Sequence, residues 1–194
     1  MVTEKSLASD YYNEEYYSKG FGPVPYGRTE PWLSFFGNIA QRIKEDFAPR
    51  SLLDAGCAIG LLVEQLRLRQ VAAEGFDISE YAISQVPAPY SDYCFCRSLV
   101  QPFDSHYHLI TCIETLEHMA ADEAVIAVRN MCQSTDIILF SSTSDDFDEP
   151  SHINVQPQEY WINLFRENNF VWDQSYNAAY ICPWAKLFRR VPDC

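Results

Sequence analysis

Residues 51–69 read SLLDAGCAIGLLVEQLRLR: a short apolar run, a turn holding Gly56 and Gly60, then Leu61, Leu62, Leu66 and Leu68 at helix-like spacing. That is half of an α/β unit, and the residues downstream repeat the theme. VAAEGFDIS, 71–79, supplies a second strand that ends in an acid, and SEYAIS can begin the next helix. Pro87 and Pro89 leave little room for a long helix between Val86 and Asp92. YCFCRS, 93–98, gives a short third strand. YHLITCIETLEHM, 107–119, gives a buried strand followed by a polar edge, and DIILFSST, 136–143, gives another apolar strand. Between these last two, Asp122, Ala124, Ile126, Ala127 and Val128 carry a helical signal. Strands alternating with helices predict a mostly parallel sheet in a doubly wound, Rossmann-like α/β domain.

The flanks fit around this centre. Trp32, Phe35, Phe36, Ile39, Ile43 and Phe47 recur every three or four residues, predicting an amphipathic helix from Pro31 that Pro49 stops. Residues 1–28 are rich in Tyr and Gly and include FGPVPYG at 21–27, so residues 1–30 read as an irregular aromatic lid or docking segment and 31–194 as the single folded domain. SDDFDEPSHINVQP, 144–157, reads as an acidic loop. Pro157 then precedes a helix carrying Glu159, Trp161, Leu164 and Phe165, and FVWDQS and YICPWAKLFRR supply two terminal strand candidates with a bend at Pro183.

Composition narrows the function. The chain has 194 residues, 47% of them hydrophobic, enough for a core without disulfides. Its formal charge of −13 opposes phosphate-rich polymers and anionic membranes, disfavouring a nucleic-acid partner. No stretch has the length and hydrophobicity to span a bilayer, and MVTEKSLASDYYNEEYY lacks the apolar run of a signal peptide, so a cytoplasmic protein without membrane insertion is expected. The seven cysteines form no CxxC unit and read as reduced. Cys94 and Cys96 would alternate with Phe95 across a strand. A homodimer stays open.

The turn after the first strand points to a ligand. Glycines allow close approach of the backbone, and Asp54 can attract a cationic amino-acid group. Asp77, ending the next strand, could accept hydrogen bonds from both hydroxyls of a ribose. The sequence has neither GxxxxGK[ST] nor GxGxxG, which leaves a nucleoside-like ligand without a pyrophosphate, or simply a tight connection.

On LDAGCAIG at 53–60, GFDIS at 75–79 and YHLITCIETLEHM at 107–119, the chain resembles the class I S-adenosylmethionine-dependent methyltransferases over almost its whole length. The resemblance implies S-adenosylmethionine as methyl donor and S-adenosylhomocysteine as product. It also implies a seven-stranded sheet of order 3-2-1-4-5-7-6 with strand seven antiparallel. Asp54, Gly56 and Gly60 match the first cofactor motif, with Ala58 in place of its usual middle glycine. Asp77 becomes the ribose acid, Ser98 stands near the usual adenine-contacting Asp, and Ile78 and Leu99 become adenine walls.

Cys112, Glu114, Glu117 and His118 lie on or just beyond strand four, and a helical turn over 114–118 would bring the last three together. ETLEH also resembles the ExxEH segment of small-RNA terminal 2′-O-methyltransferases, which implies a divalent ion on Glu114, Glu117 and His118 with His152 as fourth ligand. The competing reading is a metal-free rim, and that is the expectation carried forward, with no metal assigned. His152, with His118 beside it in the candidate set, is the catalytic choice because an imidazole titrates near neutral pH. Asp145, Asp146 and Asn154 could hold an acceptor. Tyr26, Tyr160 and Trp184 could stack on one, although these residues, like Trp161, are also ordinary packing residues. The expected activity is methylation of a small polar metabolite, a sugar or natural-product hydroxyl first. A metal-dependent RNA 2′-O-methyltransferase and a non-catalytic nucleotide-binding scaffold are the alternatives.

Overall fold

The structure, a computed structural model, describes residues 9–19 and 25–192. The described residues divide into two compact units, one within residues 9–98 and the other over residues 99–192.

The first unit opens with a 3-10 turn, Ser9–Tyr11, and helix α1, Glu14–Lys19. Asn13 starts α1 by accepting hydrogen bonds from the Glu15 and Tyr16 N–H groups at 2.9 and 3.2 Å. This corrects the wholly irregular segment expected over 1–28. Residues 21–24 of FGPVPYG lie outside the described residues. Helix α2, Glu30–Phe47, takes Pro31 in its first turn and ends where Ala48 turns left-handed (φ 41°), one residue before Pro49. Strand β1, Leu52–Ala55, is followed by α3, Leu61–Leu68, then β2, Ala73–Asp77, α4, Glu80–Ser84, and β3, Cys94–Cys96. Both strand pairings are parallel, with Asp54 opposite Gly75 and Asp77 opposite Cys96. Ile39 and Ile43 of α2 and Leu61, Leu62 and Leu66 of α3 are buried, but Leu68 is 58% exposed and stands off the apolar stripe read from sequence. Gly37 lets α2 approach α3, since a Cβ there would meet Gln65 Oε1 at 3.3 Å.

The second unit contains β4, Leu109–Ile113, a 3-10 turn at Leu116–His118, and α5, Ala121–Ser134. After β5, Ile137–Ser141, come α6, Gln158–Glu167, β6, Phe170–Trp172, and β7, Lys186–Arg190. Strands β4 and β5 are parallel, and β7 runs antiparallel to both β5 and β6. Its core is aromatic: Phe165 stacks on Phe188 at 4.1 Å, and Phe140 packs against Trp161, Phe165 and Phe188. The last strand starts only at Lys186. The residues from Tyr180 to Trp184 make turns instead of the longer strand expected from YICPWAKLFRR.

The seven strands follow the order β3-β2-β1-β4-β5-β7-β6, the Rossmann-like α/β arrangement expected. Parallel β1 and β2, and parallel β4 and β5, each present loops at their carboxyl ends, where open α/β sheets bind ligands. Among the described residues, no helix is long and apolar enough to cross a membrane.

Candidate functional site

The turn between β1 and α3 is built from three positive-φ residues, Gly56 (88°), Ala58 (48°) and Gly60 (74°). The N–H groups of Gly56 and Cys57 both donate to Phe76 O, at 2.8 and 3.0 Å, fastening the turn to β2. Gly75 makes room for this: a Cβ there would fall 2.6 Å from Cys57 Sγ. Asp77 then joins two loops. Its Oδ2 accepts from Ala58 N and its Oδ1 from Ser79 N, both at 2.8 Å. Burial raises its pKa, against the backbone N–H groups of Ser79, Ala58 and Ile78, which favour the anion. A carboxylate offers about four acceptor directions, so the backbone bonds leave capacity for a ligand hydroxyl.

Other sequence-selected residues fall around this turn or away from it. Asp54 is buried at 5% exposure, whereas Ile78 is 38% exposed and offers apolar surface beside Asp77. Ser98 is half-buried; Leu99 belongs to the other unit, where it is buried and its carbonyl accepts from Asn130 Nδ2 at 2.8 Å. Tyr26 is half-buried against Tyr17, Trp32 and Phe36. Burial pushes its phenol well up, with the Asp54 charge adding most after that. Tyr17 is raised by burial and then by Asp77.

In the second unit, Glu114 adopts a left-handed φ of 47° and the turn that follows is 3-10, not α-helical. The expected convergence of Glu114 with Glu117 and His118 is therefore only partial. Glu114 Oε1 accepts from Trp184 Nε1 at 2.9 Å, and its carboxyl stays within side-chain hydrogen-bonding reach of Glu117 but outside the group that Glu117 forms with the imidazoles. Glu117, His118 and His152 do come together, each offering a donor atom within 4.8 Å of the others. The two imidazoles meet edge to face at 4.6 Å between ring centres.

Each member has a distinct state. Glu117 is fully buried, and its Oε2 has no hydrogen-bond partner. Burial raises its pKa well above the ordinary range, and the Glu114 charge adds to this. His118 is lowered to about 3, mainly by burial and then by His152. His152 Nδ1 lies 2.8 Å from Asp146 O. A carbonyl can only accept, so Nδ1 carries a proton in this contact, with the Asp146 carboxylate 3.5 Å from the same nitrogen, and Nε2 is the nitrogen that the neutral tautomer leaves bare. One carboxylate oxygen and imidazole nitrogens form a donor set suited to Mn²⁺, Zn²⁺ or Mg²⁺, and an orphaned buried carboxylate oxygen is what a proton or cation would relieve.

Asn154 is buried and structural in its contacts: its N–H donates to Glu117 O at 2.9 Å and its Nδ2 to Leu116 O at 3.1 Å. Asp145 accepts from Thr143 Oγ1 at 3.3 Å, and the exposed Asp146 holds His152 through its backbone carbonyl. Tyr160 is half-buried against Trp161.

Comparison with known proteins adds an independent line. The methyltransferase domain family matches residues 30–175. A ubiquinone biosynthesis O-methyltransferase of Pseudomonas syringae pv. tomato is 23% identical over 152 residues, 74% of this chain and 65% of that protein. The chain spans 54–65% of the length of the curated relatives it matches. Magnesium protoporphyrin IX methyltransferase of Synechocystis PCC 6803, solved with bound S-adenosylmethionine, superposes with a TM-score of 0.65 at 17% identity, covering 97% of this chain and all of that one. A sugar N-methyltransferase of Streptoalloteichus superposes with a TM-score of 0.66 at 13% identity, over 85% of this chain and 90% of the other. At these identities, the structural likeness establishes the fold.

Proposed function

Because the chain belongs to the methyltransferase domain family, we propose that it binds S-adenosylmethionine at the turn joined by Asp77 and methylates a hydroxyl of a small polar metabolite. The observation that carries this reading is the double bridge of Asp77 to Ala58 and Ser79, which fixes a carboxylate at the end of β2 beside a glycine-containing turn. Such an acid can hold ribose hydroxyls. Gly56 and Gly60 keep the backbone open to the ligand, and Asp54 supplies negative charge for its ammonium group. S-adenosylmethionine contributes a methyl group on a sulfonium and is released as S-adenosylhomocysteine.

We assign the acceptor side to the loop after β5. His152 is oriented by Asp146 O, and its neutral tautomer has a bare Nε2, suited to taking the proton of an acceptor hydroxyl. His118, held neutral beside it, avoids placing a second positive charge against the imidazolium that would form. Oxygen as the acceptor atom is favoured by the curated relatives, whose names specify O-methylation. A charge of −13 favours a small molecule over RNA, and the free cysteines among the described residues suit the cytoplasm.

A second reading is supported by the Glu117, His118 and His152 cluster: a divalent cation held there would polarise the acceptor hydroxyl, and Nε2 would then be a ligand rather than a base. The test is transfer of a labelled methyl group from S-adenosylmethionine to a panel of catechols, phenols, sugars and short RNAs, with and without exhaustive chelation. Labelled small-molecule product that survives chelation supports the metal-free reading. Loss of transfer restored by one divalent ion supports the second, and labelling of RNA alone would overturn both small-molecule readings.

A further inference from the structure

Two thiols meet beneath the turn that follows β1. Gly75 of β2 pairs in register with Cys94 of β3, and residues paired in a parallel ladder face the same side of the sheet. Gly75 leaves its place on that side to Cys57: a Cβ there would fall 2.6 Å from both the Cβ and the Sγ of Cys57. Neighbouring strands lie about 4.8 Å apart, so the Cys57 side chain stands about one strand spacing from that of Cys94. Gly60 closes the same pocket. Its N–H donates to Cys57 O at 2.8 Å, and the Cβ it lacks would fall 3.0 Å from Cys94 Sγ and 3.3 Å from Val86 Cγ1. Cys57 and Cys94 are 3% and 4% exposed, and their thiols lie within hydrogen-bonding reach of each other.

We propose that Cys57 and Cys94 are a disulfide site: hydrogen peroxide oxidises the pair, and the bond formed between them weakens ligand binding at the turn after β1. One thiol attacks the peroxide O–O bond and becomes a sulfenic acid, its proton leaving in the first water. The second thiol then displaces the sulfenic oxygen, which leaves with that thiol's proton as the second water. Two thiols and one peroxide thus give one disulfide and two waters. A disulfide needs Cβ atoms about 3.5–4.5 Å apart and sulfurs about 2.0 Å apart, which the pair reaches by a short movement of the turn toward β3. The hydrogen bond to Cys94, and then burial, hold the Cys57 thiol well above its ordinary range, so the pair rests reduced and is attacked when the turn opens locally. Cys57 is tied to the group assigned to the ligand. Its N–H donates to Phe76 O at 3.0 Å, and the next N–H, that of Ala58, holds Asp77 Oδ2 at 2.8 Å. Drawing Cys57 toward β3 pulls the Ala58 N–H off the carboxylate. This consequence for binding rests on the S-adenosylmethionine reading; the cross-link itself does not.

The test is peptide mapping of the folded protein after hydrogen peroxide treatment and alkylation of the remaining thiols, in a Cys96→Ser background that removes the exposed thiol two residues from Cys94. The expected product is a linked pair of peptides carrying Cys57 and Cys94, two hydrogens lighter than their sum and separated by dithiothreitol. Calorimetric titration of S-adenosylhomocysteine should show affinity about tenfold weaker in the oxidised protein, as for one lost hydrogen bond at the site, and recovery on reduction. With Cys94→Ser added, peroxide should leave the affinity unchanged. Cys57 and Cys94 recovered as free thiols, or either one linked to a different cysteine, would overturn the disulfide site. A linked pair with the affinity of the reduced protein would overturn its hold on the turn. Absence of binding by the reduced protein would overturn the cofactor reading, and the linked peptides would still decide the disulfide site.

Discussion

Replacing Asp77 by Asn removes one negative charge and one acceptor while preserving shape. In the native protein both carboxylate oxygens are engaged, by Ala58 N and Ser79 N at 2.8 Å each. An amide can serve only one of these donors with its oxygen and turns an NH₂ toward the other. A charge-assisted bond contributes roughly 1.5–3 kcal/mol. The orphaned N–H adds to the loss, while relief of the buried charge offsets part of it. The net destabilisation should be about 2 kcal/mol, moving the melting midpoint down by roughly 4–8 °C for a chain of this size. Ligand binding loses a charge-assisted ribose bond, worth about 2 kcal/mol or about 30-fold in Kd. Urea unfolding gives the first quantity, and calorimetric titration of S-adenosylhomocysteine well below the midpoint gives the second. A folded Asp77→Asn protein with wild-type affinity would refute the ribose assignment.

His152→Gln should lower turnover roughly 100-fold with the Kd for S-adenosylmethionine unchanged, since a general base acts on the acceptor proton; unchanged turnover across pH would exclude that role. His118 is held near pKa 3, below the value of about 6.5 for an unfolded histidine, so the unfolded chain binds more protons between those values. Stability from this group is therefore present above about pH 6.5 and falls on acidification by up to about 1.4 kcal/mol per pH unit. Urea melts of chelator-treated protein at pH 7 and 5 should show a smaller acid loss in His118→Gln than in wild type, and equal losses would contradict the buried-neutral state. Ala58→Gly, at a left-handed position, should raise stability by about 1 kcal/mol, measured as a melting-temperature increase.

The central unit was legible because local chemistry and fold agree there. An apolar run, a turn with glycines and a leucine repeat can hardly be arranged otherwise, and the same logic carries through β2, β4 and β5. The order of the strands came from resemblance, since hydrophobic periodicity does not say which strands are neighbours. Helix α1 escaped notice because its six residues are too short for periodicity, although Asn13 followed by two glutamates is a start signal that could have been weighed. ETLEH suggested a helical turn, yet the positive φ of Glu114 is set by its surroundings: a backbone bond to Ser141 O and a side-chain bond to Trp184, 70 residues away. Asn154 likewise reads as a substrate residue in SHIN until its amide is seen spanning to Leu116. Tertiary partners of this kind leave no trace in local spacing.

The most direct test is a crystal structure of the protein grown with saturating S-adenosylhomocysteine. The account predicts the ribose hydroxyls on the Asp77 carboxylate, the adenine against Ile78, and the amino-acid end at the Gly56–Gly60 turn beside Asp54. Ligand density elsewhere on the chain, or an empty turn in crystals of a protein that binds the ligand in solution, would contradict it.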